Sequence, residues 1–167
     1  MIGSALVGTL EVDPGGGFFG EVILNDSEET LQLSIHEDVS ADSKLLGDAV
    51  AILDRFRSLE MSARGALRGR LAPGVDDDVI EFVRFHAEDL ELLDGNLRSV
   101  LSEFLVDGGR VNDVAHSFRT RGMVFHTGDD GELEFWIDLS LAPEQSDEVL
   151  CVRFNASQSV TAIDWES

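Results

Sequence analysis

The sequence predicts one α+β domain over residues 1–167, an antiparallel sheet from an N-terminal and a C-terminal meander packed on about four central helices. Residues 133–141 alternate strictly, Leu133, Phe135, Ile137, Leu139 and Leu141 interleaved with Glu134, Trp136, Asp138 and Ser140, the period of a half-buried strand. Residues 45–56 change to helical spacing, with Leu45, Leu46, Ala49, Val50, Leu53 and Phe56 on one face. The strand-like runs gather at the two ends of the chain and the helix-like runs in the middle, which argues segregated rather than alternating elements.

In chain order, 5–12, 18–24 and 30–36 read as three strands, separated by Asp13-Pro14-Gly15-Gly16-Gly17 and Asn25-Asp26-Ser27-Glu28-Glu29. Leu31, Leu33 and Ile35 share one face of the third, and Gln32, Ser34 and His36 the other. The three glycines read as a hairpin turn, since neither Gly-Lys-Ser/Thr nor a helix follows them. Asp38, Ser40 and Asp42 are N-cap types for the first helix. A second, 59–71, is interrupted by Gly65 and Gly69 and closed by Pro73-Gly74. Asp76-Asp77-Asp78 suit the positive end of a third, which carries Val79, Ile80, Val83, Ala87 and Leu90 before Asp94-Gly95-Asn96. A fourth, 97–105, stops at Gly108-Gly109. Residues 111–127 read as one or two strands leading through Gly128-Asp129-Asp130-Gly131 into 133–141, and the runs 149–154 and 160–165 complete the meander. Whether the two meanders join is open; one sheet covered on one face by helices needs the fewest layers.

The formal net charge is −21. Such an excess repels phosphates and anionic lipid, so neither a nucleic acid nor a membrane is the expected partner. A basic protein or a cation is the natural attractant, while acidity as a plain solubility trait is the bland alternative. The one cysteine, Cys151, lies inside an apolar strand and reads as a core residue. No disulfide can form within the chain, the N-terminus has no basic, apolar leader pattern, and no run is long enough to span a bilayer, so a cytoplasmic location is expected.

Signals for chemistry are weak. His36, His86, His116 and His126 show no helical zinc-pair spacing and no Cys-x-x-Cys accompanies them. His116 and His126 would meet only if 114–119 and 123–127 formed a hairpin. The acidic clusters lack calcium-loop spacing, no Gly-x-Ser-x-Gly occurs, and the chain has no tyrosine. Neither a catalytic residue, a metal ligand nor a cofactor is assigned. Two features stand out as partner-binding candidates. Arg57, Arg64 and Arg68 would lie near one another on a helix as a positive ridge, unless neighbouring acids pair with them. Glu134, Trp136 and Asp138, with Arg153 and Trp165, would occupy the second face of the C-terminal meander, where a large amphipathic ring suits an interaction surface if no helix covers it.

Phe135-Trp136-Ile137-Asp138, the strand Asp147-Glu148-Val149-Leu150-Cys151-Val152-Arg153-Phe154 and the closing Ile163-Asp164-Trp165-Glu166-Ser167 resemble a bacterial family catalogued as a domain of unknown function, number two thousand and four. Phe19-Gly20-Glu21-Val22 resembles that family's start. The resemblance implies a small cytosolic α+β protein with no assigned activity or site residues, related-looking to immunity proteins that neutralise toxin domains. The expectation is a non-enzymatic, acidic protein-binding module of inhibitor or immunity type. The alternatives are a metal-binding protein or hydrolase using carboxylates with His36, His116 or His126, and a homo-oligomer.

Overall fold

The structure is a computed structural model that describes residues 1–71, 77–89 and 95–167. Pro73-Gly74, Asp76, Leu90 and Asp94, at which helix boundaries or faces were expected, lie outside them.

The chain begins with two short strands, β1 (Ile2–Ser4) and β2 (Gly8–Leu10), which pair antiparallel as a separate ribbon. This corrects the single strand expected over 5–12. Ser4 explains the break: its Oγ accepts from the Leu6 and Val7 amides at 3.1 and 3.2 Å and donates to Asp54 Oδ1 at 2.6 Å, closing a turn in an apolar run. The hairpin β3 (Phe18–Ile23) and β4 (Thr30–Ile35) follows. Gly17 enters it at φ 72°, and a β-carbon there would stand 2.2 Å from the Ile35 carbonyl oxygen, so only glycine fits.

Among the described residues six helices come next: α1 (Glu37–Ala41), α2 (Ser43–Leu53), α3 (Phe56–Arg70), α4 (Asp78–Asp89), α5 (Gly95–Asp107) and α6 (Val111–Ser117). Asp42 caps α2 by accepting from the Lys44 and Leu45 amides. The stretch expected as one helix over 45–56 divides, because Asp54 is held by Ser4 and Phe56 already belongs to α3. Residues 111–117, expected in a strand, form α6: Val111, Val114 and Ala115 stand at i, i+3, i+4, and Val114 and Ala115 are buried.

The chain closes with β5 (Arg119–Thr127), β6 (Leu133–Ser140), β7 (Val149–Phe154) and β8 (Val160–Glu166). The main sheet runs β3-β4-β5-β6-β7-β8. The two meanders are therefore one sheet, joined by β4 and β5 with Ile35 beside Phe125. That pair is parallel, so the sheet is mixed rather than wholly antiparallel. The cause is the helical crossover, which returns the chain in the direction in which it left β4. The fold is α+β, as the segregation of elements predicts.

Burial alternates along β6: Leu133, Phe135, Ile137 and Leu139 are buried, while Glu134, Trp136 and Asp138 are only half-buried. Leu33, Phe125, Val152 and Ile163 extend the buried face across neighbouring strands, where Phe56, Leu67, Phe82 and Phe104 of the helices complete the core. No helix among the described residues is long and apolar enough to cross a membrane.

Candidate functional site

Among the described residues the helices cover the Leu133 side of the sheet, and the Trp136 side is left to its own, half-buried side chains. Strand register arranges that open face in rows. One row runs Phe19, Ser34, Val124, Trp136, Arg153, Ala162 from edge to edge. The next runs Glu21, Gln32, Gly122, Asp138, Cys151, Asp164.

Trp136 is gripped from two strands. The Arg153 guanidinium carbon lies 5.0 Å from the Trp136 ring centre, and the His126 ring meets the indole at 5.0 Å in an edge contact. Arg153 is fixed by donating from Nε to Asp164 at 2.6 Å and from Nη2 to Glu166 at 2.5 Å, and these carboxylates raise its affinity for its proton, the Asp164 hydrogen bond foremost. His126 Nε2 sits 3.3 Å from Glu134 Oε2. The expected Glu134, Trp136 and Asp138 thus share the open face and Arg153 joins them. Trp165 does not: it stands opposite Leu150 on the helix side, 5.6 Å from both Phe82 and Phe85.

Asp138 is the most enclosed acid of this face. Burial pushes its pKa up against the opposing hydrogen bond from the Cys151 thiol, whose Sγ stands 3.0 Å from Oδ1. Burial and the neighbouring Asp138 charge in turn push the thiol far above its ordinary range, which makes Cys151 a poor nucleophile. Opposite Asp138 is Gly122, and both line a hollow of about 530 Å³ with Phe19, Glu21, Gln32, Arg121 and Val124. A β-carbon on Gly122 would stand 3.1 Å from the Gln32 carbonyl oxygen and 3.2 Å from Asp138 Oδ2.

The expected arginine ridge is drawn inward. Arg57 donates to Asp26 at 2.9 and 3.0 Å, to Glu29 at 2.9 Å and to Glu60 at 3.2 Å. Arg64 donates to the Phe118 carbonyl at 2.7 Å and to Glu60 at 3.1 Å. Burial works against the Glu60 charge, but hydrogen bonds from Thr120, Arg64 and Arg57 outweigh it and hold its pKa below the ordinary value. Both arginines line a second hollow of about 630 Å³, beside Phe56, Phe118 and Thr120. Arg68 is exposed and has no ion-pair partner among the described residues.

Of the histidines, His36 and His126 approach to 6.2 Å between ring centres. His116 is not in the hairpin that would have brought it to His126; it lies on α6, with Nδ1 2.5 Å from the Asn112 carbonyl. His86 is fully buried under Phe82 and Phe85. Among the described residues no three His, Cys, Asp or Glu side chains gather as a group able to hold a metal ion.

Two exposed residues of the open face escape sequence reasoning. Phe19 and Ile23, on the outermost strand β3, are 83% and 62% exposed. The signal was the run Phe18-Phe19-Gly20-Glu21-Val22-Ile23, apolar on both faces where a half-buried strand alternates.

The fold and this face define an α+β protein with one side of its sheet uncovered by any helix among the described residues. Compared with protein-family models, with curated proteins and with solved structures, the chain matches none.

Proposed function

We propose that this protein is a non-enzymatic binding module of inhibitor or immunity type, whose open sheet face docks a basic protein. The observation that carries the reading is Trp136, half-buried at the centre of a face that no helix of the described residues covers, in a chain of net charge −21. Large aromatic and arginine side chains in a partly desolvated setting are the usual energetic centres of interfaces, and Trp136 stacked with Arg153 supplies both. Glu21, Glu134, Asp164 and Glu166 surround them and present negative charge to an approaching cationic surface. Opposite charge of this size steers encounter, so association is fast and weakens with added salt. Kinship with the uncharacterised bacterial family belongs to the same proposal and rests on the short terminal motifs alone. A cytoplasmic setting is part of it as well.

The test is a salt series on the complex. Affinity for the partner falls steadily as ionic strength rises, and Trp136→Ala weakens binding while leaving the circular dichroism spectrum unchanged. Binding indifferent to both changes removes the proposal.

A further inference from the structure

The main sheet ends at β3, whose outer side pairs with no strand among the described residues. Exposed edges are normally blunted by proline, bulges or several charges. This one has none of these: its register with β4 is unbroken from Phe18 to Ile23, and Glu21 is its one charged residue. On the open face of β3, exposed Phe19, Glu21 and Ile23 follow at every second position, apolar, acidic, apolar. A strand laid alongside would satisfy the free backbone groups and cover two large apolar side chains at once, the geometry by which extended peptides join a sheet edge.

We propose that β3 is the landing edge for an extended segment of the basic partner, which adds as the next strand of the sheet with a lysine or arginine facing Glu21 and apolar residues over Phe19 and Ile23. This rests on the basic-partner reading of the open face and names how the partner is held. Charge selects the occupant. A second copy paired antiparallel about Glu21 would set Glu21 directly against its own counterpart, and any pairing of copies brings together two chains of net charge −21. A cationic segment meets Glu21 at the edge and, further along the same row, Asp138 across a hollow that Arg121 also lines.

The experiment is an amide-resolved NMR titration of the full chain with the peptide acetyl-Lys-Val-Thr-Arg-Thr-Val-Lys-amide, whose two valines and arginine share one strand face in the order apolar, cationic, apolar, and with the same sequence N-methylated at every residue, which keeps the charge and removes the backbone N–H of each residue. The expected result is that the amides of β3 shift with the first peptide, that it binds tighter than the methylated one by about tenfold or more, and that Phe19→Lys, at a side chain exposed enough to leave the fold intact, abolishes the difference. Equal binding of the two peptides overturns strand addition while the basic-partner reading stands. Binding of neither peptide overturns both. Shifts confined to β8 overturn the choice of edge, and concentration-dependent shifts of β3 without peptide overturn the choice of occupant in favour of a second copy.

Discussion

The Arg153 guanidinium lies 5.0 Å from the centre of the Trp136 ring while donating to Asp164 and Glu166 on the next strand. The cation is thus held by its carboxylates and laid over the indole, which keeps Trp136 ordered on a face with no helix above it. Such a stacked pair contributes about 0.5–1 kcal/mol at an exposed site. Arg153→Ala in a Trp165→Phe background, where Trp136 alone fluoresces, is expected to red-shift the emission, increase quenching by acrylamide and lower stability by about 1 kcal/mol. An unchanged spectrum would mean that the stacking does not persist in solution.

Glu60 joins two elements, accepting from Arg57 and Arg64 of its own helix and from Thr120 Oγ1 of β5 at 2.6 Å. Removing it leaves two arginines partly buried without their shared carboxylate. Glu60→Ala should therefore cost about 2–3 kcal/mol of unfolding free energy. Because its pKa is lowered in the fold, the stabilisation is complete above the ordinary value of 4.5 and is lost as pH falls through the folded value. Urea denaturation at neutral and strongly acidic pH checks both parts: the gap between the wild type and Glu60→Gln closes in acid.

His86 has the opposite sign. Its Nδ1 donates to the Phe82 carbonyl at 2.9 Å, Nε2 is buried with no hydrogen-bond partner among the described residues, and burial lowers its pKa, with the Phe82 hydrogen bond and the Glu148 charge opposing. The folded state keeps the ring neutral where the unfolded chain protonates it, so stability falls as pH drops below the ordinary value of 6.5 and levels off below the folded pKa. His86→Leu should flatten this slope between mildly alkaline and mildly acidic conditions, read as the difference in urea midpoints. A slope identical to that of the wild type would show that the ring is solvated.

Cys151 is buried and its thiol is held protonated by burial and by Asp138. Ellman's reagent should react with the native protein only as fast as the protein opens, and at once after unfolding in guanidinium. Stoichiometric labelling of the native state within the mixing time contradicts this environment.

The strand over 133–141 was legible because a single face of a sheet writes itself into the sequence with period two, and the same alternation set Trp136 on the face opposite Leu133 without saying whether helices cover it. The helix at 111–117 was not. Val111, Val114 and Ala115 cover barely two turns, and the strand that follows at Arg119 extends their apolar run. The parallel pairing of Ile35 with Phe125 depends on where the helices deliver the chain, information that no local pattern holds. The arginines were visible as a cluster, but their neutralisation was not, since Asp26 lies 31 residues from Arg57 and Phe118 lies 54 from Arg64. Trp165 was placed on the wrong face although it stands two residues from buried Ile163 in a stretch of unbroken register, so that alternation within β8 itself sets it on the helix side.

The central claim is that the Trp136 face receives a basic partner through charge and a buried aromatic anchor. The most direct measurement is calorimetric titration, over a range of salt, of the affinity-purified partner against the wild type, Trp136→Ala and Met61→Ala, the last an exposed apolar residue on the helical side. The account predicts a cationic partner, affinity that falls with salt, a loss of about 2 kcal/mol or more for Trp136→Ala, and no change for Met61→Ala. An acidic partner, salt-independent binding, or a loss confined to Met61→Ala would contradict it.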